Sequence, residues 1–308
     1  MNMLAGCTGF VGSNICAAGQ IDKAYHSSDI TQAYGLKPDL LIYAGLSAEK
    51  YLADRDPDQD MLRVCQAEQN IERIGPKKLV LISTIDVWKD PAGVDENSEI
   101  RTQALQPYGK NRLLLEQWVR GHYPDALIIR LPGLFGKNMK KNFIYDFINL
   151  IPPVLTPEKM SELMLLDKEI QNGYTRESNG LYRCKKLSAD EKERLRAKLK
   201  RIGFTALNFT DSRNVYQFYP LERLWDDLQL ALKHNINLLH MATEPVSAGE
   251  LYAYLTGCSF QNEILSVPVR YDFRTIYDGL YGGNNGYLID KEHVKEQIKL
   301  FVRNYEEM

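Results

Sequence analysis

The sequence predicts an α/β fold with a doubly wound parallel β-sheet and a smaller C-terminal region. Two observations predict it. In the first half of the chain, short unbroken apolar runs alternate with helical patterns, which is typical of β-α-β units covered by helices on both sheet faces. A glycine-rich turn also joins the first apolar run to the first helical pattern. This alternation ends near residue 137, so we predict a domain over 1–140 and a second region over 141–308, interleaved with returning elements of the first.

The predicted elements follow in chain order, and the second strand is the least clear of them. Strands are predicted at 3–5, 23–26, 40–44, 79–83, 126–131 and 236–241. Helices are predicted from about Gly12 and over 61–74, 108–120, 143–150, 187–202, 219–234 and 290–305. Only about a dozen residues separate the second strand from the third, so the connection between them is expected to be shortened. Ser188, with Glu191 three residues later, predicts a capping box for the charged helix.

The composition excludes several classes of protein. The 308 residues are 44% apolar and 25% charged with a net charge of −2, which gives no basic surface for nucleic acid. No apolar run approaches the roughly 20 residues of a membrane helix, and a signal peptide is not recognisable. A cytoplasmic protein is therefore expected. The five cysteines and five histidines are scattered without ligand spacing, so no metal site is predicted.

Three glycines, Gly6, Gly9 and Gly12, follow the first strand and open the first helix. Such a turn needs a residue that tolerates positive φ, a close approach of backbone to ligand, and close packing of helix and strand. The helix N-terminus supplies free N–H groups to phosphates. We therefore predict that a dinucleotide binds at this turn, with Phe10 and Val11 also in contact.

Tyr108 and Arg112 are four residues apart in a predicted helix, so their side chains share one face. A cation beside a phenol stabilises the phenolate, which predicts a lowered pKa for Tyr108 and a role as general acid or base. Thr84 ends a predicted parallel strand and is expected to hydrogen-bond the same substrate oxygen. The alternative interpretation is an exposed tyrosine followed by a surface arginine.

Five segments together resemble the extended short-chain dehydrogenase/reductases, the NAD-dependent epimerase/dehydratase family. The glycine spacing is the G-x-x-G-x-x-G form of that family. The other segments occur in the family's order, so the resemblance spans roughly residues 1–140. They are 41–48 (LIYAGLSA), 81–88 (LISTIDVW), 108–116 (YGKNRLLLE) and 129–136 (IRLPGLFG). The later half matches more loosely.

The resemblance implies a Rossmann-like domain, a substrate-binding C-terminal region and hydride transfer between NAD(P) and a nucleotide sugar or a related carbonyl or alcohol. Tyr108 would be the catalytic acid/base, Thr84 would orient the substrate oxygen, and Ala44 and Gly45 would lie beside the cofactor. A homodimer is common in the family, and small molecules are the expected partners.

Two positions depart from the family pattern. Arg112 stands where the family has lysine, so it would have to hold both the tyrosine and the cofactor. Ile85 and Asp86 stand where dehydratases of the family carry Asp-Glu, which favours carbonyl reduction or epimerisation over dehydration. The arginine also keeps open a second hypothesis, a dinucleotide-binding sensor or partner-binding protein without turnover.

The choice of cofactor depends on the end of the second strand. Ser27 and Ser28 would tolerate the 2′-phosphate of NADP, whereas an acidic residue there would favour NAD, so NADP is slightly favoured over NAD. For the substrate, Arg213 resembles the family's diphosphate-binding arginine. Asp86 and Arg274 are further candidates for substrate contacts.

Overall fold

A computed structural model describes residues 1–306 of the chain. The strands of this part are β1 Asn2–Ala5, β2 Lys23–Tyr25, β3 Leu40–Tyr43, β4 Lys78–Thr84, β5 Leu127–Leu131, β6 Gly133–Phe135, β7 Val154–Leu155, β8 Tyr174–Arg176, β9 Tyr182–Cys184, β10 Val215–Tyr216, β11 Phe218–Pro220, β12 Leu238–His240 and β13 Val246–Ser247. The α-helices are α1 Phe10–Ala18, α2 Lys50–Arg55, α3 Pro57–Ile74, α4 Pro107–His122, α5 Phe143–Asn149, α6 Pro157–Leu166, α7 Ala189–Arg201, α8 Leu224–Lys233, α9 Ala248–Thr256 and α10 Lys291–Glu306.

The chain divides into two compact units, and the first contains the main sheet. This unit comprises Met1–Met139, Val215–Val246 and Arg270–Gln297. Its six strands lie in the order β12-β5-β4-β3-β1-β2, and each neighbouring pair is parallel. All four residues of β3 are buried, as expected for a strand that helices cover on both faces. The predicted doubly wound parallel sheet is confirmed.

The second unit comprises Lys140–Asn214, Ser247–Val269 and the residues from Ile298 onward. Strands β7, β9 and β8 form an antiparallel sheet in it. Helix α7 contributes Leu195 and Leu199 to the local apolar core, while its charged residues stay at the surface. The predicted capping box of Ser188 and Glu191 is present.

The predicted elements of the main sheet are found, and two predicted helices begin at other residues than expected. A short 3-10 turn, Ile30–Ala33, connects β2 to β3, as the spacing predicted. Helix α3 begins four residues earlier than predicted, because the Asp56 side chain accepts from Gln59 N and Pro57 fits the first helical turn. The prediction of a helix over 219–234 is wrong at its start. Residues Phe218–Pro220 form β11, paired with β6, and the helix begins only at Leu224.

Residues 1–306 contain neither a membrane-spanning helix nor a cluster of metal-binding side chains. Every helix in this part of the chain is too short or too polar to cross a lipid bilayer. Within residues 1–306, side chains able to bind a metal ion do not form groups of three or more.

Candidate functional site

The glycine turn closes because two of its glycines have no side chain. Gly6 has a φ of +93°, and a Cβ there would lie 2.4 Å from Ala44 O. A Cβ on Gly12 would lie 2.1 Å from Gly6 O. The backbone N–H groups of Gly6 and Cys7 both donate to Tyr25 O, at 2.7 and 3.1 Å. The turn is therefore fixed between the ends of β1, β2 and β3, and Ala44 and Gly45 lie beside it.

Gly9 serves a different purpose from the other two glycines. Its φ is −71°, and a Cβ there would meet only Gly6 O, at 3.3 Å, which is a tight contact with one atom and not the overlap found at Gly6 and Gly12. Gly9 is the N-cap of α1 and gives it no side-chain cap. Helix geometry leaves the N–H groups of Phe10, Val11 and Gly12 without intrahelical acceptors. An uncapped helix end with no side chain over it fits the pyrophosphate of a dinucleotide.

The end of β2 carries a small polar cluster. The Asp29 carboxylate accepts from His26 N at 2.8 Å and lies 3.1 Å from His26 Nε2. Ser28 Oγ is 2.8 Å from His26 Nδ1, and Ser27 is exposed. The Asp29 carboxylate is thus directed towards His26. Ser27 and Ser28, which are predicted to bind the cofactor, follow β2, and the last residue of β2, Tyr25, accepts hydrogen bonds from the glycine turn.

Backbone packing places Tyr108 beside Thr84. Tyr108 N donates to Asp54 Oδ1 at 2.9 Å, which caps the start of α4 from a neighbouring helix. A Cβ on Gly109 would lie 1.9 Å from Asp86 O, so α4 touches the turn that follows β4. The Thr84 hydroxyl lies near the Tyr108 phenol and lowers its pKa. Thr84 Oγ1 accepts from Asp86 N at 3.2 Å, so its own proton is not used in that bond.

The pKa of Tyr108 is raised, so the expected lowering is wrong as a net effect. Tyr108 is only 6% exposed, and burial is the largest cause because the phenolate loses its solvation. The carboxylates of Asp86 and Asp60 raise this pKa further. Arg112 and Thr84 lower this pKa, as predicted for the arginine, but each has a smaller effect than burial and the net direction is upward. Tyr108 is therefore protonated at neutral pH.

The charge of Arg112 is already paired. Its NH1 lies 2.7 Å from Asp60 Oδ2, and its NH2 donates to Asp60 Oδ1 at 3.0 Å and to Ser47 O at 2.7 Å. Asn111 Nδ2 donates to the same carboxylate at 3.0 Å. The guanidinium carbon lies 4.4 Å from the centre of the Tyr108 ring, over its face. Arg112 therefore ties α4 to α3 and does not hold the tyrosine as an anion.

Two residues that the sequence analysis missed contact Asp86. Lys50 Nζ donates to Asp86 Oδ1 at 2.9 Å, and the Tyr271 hydroxyl donates to the same oxygen at 3.2 Å. Nothing local in the sequence indicates this cluster, because its members are far apart along the chain. Lys50 lies two residues after the segment 41–48, and that position is the one signal that the sequence offers.

A buried polar network, also missed, lies behind Thr84. Arg130 donates from Nε and NH2 to the buried Glu116 carboxylate, which also accepts from Ser83 Oγ at 2.5 Å. Arg130 NH1 lies 3.2 Å from His240 Nε2, while His240 Nδ1 lies 3.0 Å from Arg274 O. Burial and the Arg130 charge lower the pKa of His240 to about 3. A neutral His240 with its proton on Nδ1 accepts from the arginine and donates to the carbonyl.

The two arginines predicted to bind substrate lie in different units. In the first unit, Arg274 NH1 donates to Asn285 O at 2.7 Å, and its guanidinium lies over the Tyr287 ring. In the second, Arg213 NH2 lies 2.8 Å from Asp211 Oδ2, and its NH1 lies 2.9 Å from Glu263 Oε2. A role in substrate binding stays a prediction for both.

No protein-family model and no curated protein matches the chain. Solved structures do. The dTDP-4-dehydrorhamnose reductase from Yersinia enterocolitica is similar over 99% of both chains, with 14% identity and a TM-score of 0.62. RMD from Pseudomonas aeruginosa, complexed with NADPH, is similar over 99% of both chains, with 15% identity and a TM-score of 0.60. The chain shares their fold. UDP-glucose 4-epimerase from Thermotoga maritima, with UDP-glucose, has 12% identity and a TM-score of 0.60 over 100% of this chain and 99% of its own. The predicted Rossmann-like fold is confirmed.

Proposed function

We propose that this protein is an NAD(P)-dependent oxidoreductase or epimerase of the extended short-chain type, acting on a nucleotide sugar or a related carbonyl compound. The observation that carries the proposal is the placement of Tyr108 beside Thr84, where helix α4 contacts the turn at the end of β4. The glycine turn follows β1 of the same parallel sheet, so both features lie at its carboxyl edge, where ligands of such sheets bind.

In carbonyl reduction, different residues of the chain would carry out different steps. A bound dinucleotide would supply the hydride. The turn from Gly6 to Gly12 would hold its pyrophosphate through backbone N–H groups. Tyr108 donates a proton to the substrate oxygen, and Thr84 fixes the direction of the phenol. Because Tyr108 is protonated at neutral pH, it can act as the general acid of carbonyl reduction.

The solved structures support the classes of cofactor and substrate. One neighbour is complexed with NADPH and another with UDP-glucose, and two are named as a dTDP-sugar reductase and a UDP-sugar epimerase. We carry these classes over to this chain as part of the proposal, with NADP slightly preferred on account of Ser27 and Ser28.

Gly9→Val is expected to abolish dinucleotide binding and to leave the fold intact. The side chain would stand over the helix end that holds the pyrophosphate, whereas the nearest protein atom, Gly6 O, lies 3.3 Å from its Cβ. Calorimetric titration with NADPH and NADH measures binding, and thermal unfolding checks the fold. Gly121→Val is the matched control, since a Cβ there meets nothing within 4 Å. Equal affinities of wild type and Gly9→Val would refute the assignment, and tighter NADH would reverse the preference for NADP.

Arg213→Ala is expected to raise KM for a nucleotide sugar by about tenfold or more and to spare a phosphate-free analogue, because only the diphosphate loses its cation. Steady-state kinetics with both substrates measure this. Arg183→Ala, which removes another ion-paired arginine of the second unit, is the control. An unchanged KM would mean that Arg213 forms ion pairs with Asp211 and Glu263 and does not bind the substrate.

A second candidate function is dinucleotide binding without turnover. The observation that favours it is the ion pair between Arg112 and Asp60. Arg112 stands at the position of the family's lysine, and its charge is already paired with a carboxylate. Hydride transfer across a panel of nucleotide sugars, followed by absorbance of the reduced nicotinamide, separates the two functions.

A further inference from the structure

We propose that Lys50 is a positioning residue for the acid–base site, and that it fixes the Asp86 carboxylate beside Tyr108 together with Tyr271. This inference rests on the proposed function. The residues come from three separate segments of the first unit: the start of α2, the turn after β4, and the segment Arg270–Gln297. Their convergence on one carboxylate is what the structure adds to the sequence.

The hydrogen bonds to Asp86 use one of its two oxygens. Lys50 Nζ at 2.9 Å and the Tyr271 hydroxyl at 3.2 Å both donate to Oδ1. Among the described residues, no donor is found on Oδ2. Two donors on one oxygen orient the carboxylate and leave the second oxygen for a hydroxyl group of the substrate.

The charges around Tyr108 explain why a cation is needed on Asp86. The groups that act on the phenol are Arg112, Asp60, Asp86 and the Thr84 hydroxyl. Arg112 and Asp60 form a buried ion pair, so their charges largely offset each other. Asp86 would then be the uncompensated negative charge beside the phenol, and Lys50 is the cation that compensates it.

The same short helix reaches the catalytic helix at a second point. Asp54, four residues after Lys50 in α2, accepts the hydrogen bond of Tyr108 N. Helix α2 is thus bonded both to the backbone of Tyr108 and to the carboxylate beside its ring. Lys50 is 44% exposed, so solvent screens its charge and its effect on the site is expected to be moderate.

Kinetics of five variants test the inference. Lys50→Met is expected to lower kcat by about tenfold, with the KM of the dinucleotide unchanged, because an uncompensated Asp86 raises the pKa of Tyr108 and makes the phenol a weaker acid. The alkaline limb of the pH–rate profile should move up accordingly. Lys50→Arg should retain the rate. In an Asp86→Asn background, Lys50→Met should have no further effect. Lys110→Met removes an exposed cation from the helix of Tyr108 and should match wild type.

Urea unfolding provides a readout that needs no turnover. If the Lys50–Asp86 pair forms in solution, the midpoint shift of the double variant Lys50→Met/Asp86→Asn should differ from the sum of the single shifts. Additive midpoint shifts would overturn the inference. So would a wild-type kcat for Lys50→Met, or an equal loss of kcat from Lys50→Met in the wild-type and the Asp86→Asn backgrounds. Absence of dinucleotide binding by the wild type would instead overturn the proposed function. The urea-unfolding comparison needs no ligand, so it tests the Lys50–Asp86 pair separately from the proposed function.

Discussion

Replacing Tyr108 by phenylalanine is expected to lower kcat for carbonyl reduction by about 10²–10⁴-fold, while dinucleotide affinity stays unchanged. The substitution removes only the phenol oxygen, and with it the proton that the substrate oxygen must receive. The ring remains over the Arg112 guanidinium, so the packing of α4 is preserved. Steady-state rates and calorimetric titration measure the two quantities on the same preparation.

The pH profile of the wild-type enzyme gives an independent check. Reduction requires the protonated phenol, so its rate should hold above neutral pH and fall only as the pH rises through a pKa that burial raises above the ordinary tyrosine value. Tyr123→Phe, at the other end of α4, is a suitable control. If Tyr108→Phe retains every detectable activity, the general acid lies elsewhere and binding without turnover becomes the better proposal.

Arg112→Met is expected to reduce the free energy of unfolding by about 3–5 kcal/mol, because it leaves the Asp60 carboxylate buried without its ionic partner. Arg112 is 4% exposed and Asp60 1%, so water cannot replace the lost hydrogen bonds. The Ser47 carbonyl loses a donor as well. Urea unfolding monitored by circular dichroism measures the change.

Two further variants separate charge from packing at this pair. Arg112→Met combined with Asp60→Leu should recover much of the lost stability, since no unpaired charge remains. Arg112→Lys should lie between wild type and Arg112→Met, because an ammonium group cannot make the bidentate contact. A loss below about 1 kcal/mol for Arg112→Met would mean that the pair contributes no more than an exposed one.

Local patterns predicted the strands because a strand buried on both faces must be apolar along its whole length. They also placed Thr84 at the end of a central strand and Tyr108 at the start of a helix, and in the structure that helix contacts the turn after β4. The same reasoning failed for residues 219–223. Their apolar spacing suits a helix, but Phe218–Pro220 pair with β6, more than 80 residues earlier in the chain.

The electrostatics of the site could not be predicted in the same way. Helical spacing showed that Arg112 faces the ring of Tyr108, which is correct, but Asp60 lies 52 positions away in the sequence. The net direction of the Tyr108 pKa depends on burial, and burial is a property of all the elements packed around the phenol. Lys50, Asp86 and Tyr271 illustrate the same limit, because only the tertiary fold brings them together.

The contact of Gly109 with the carbonyl of Asp86 has a consequence for how this site can change. Main-chain atoms meet at this point, so the contact between the catalytic helix and the strand end does not involve the side chains at positions 84, 86 and 108. Geometry and chemistry are therefore separable here. New reactive groups could be exchanged on a fixed frame by evolution or by design, provided that position 109 itself remains glycine.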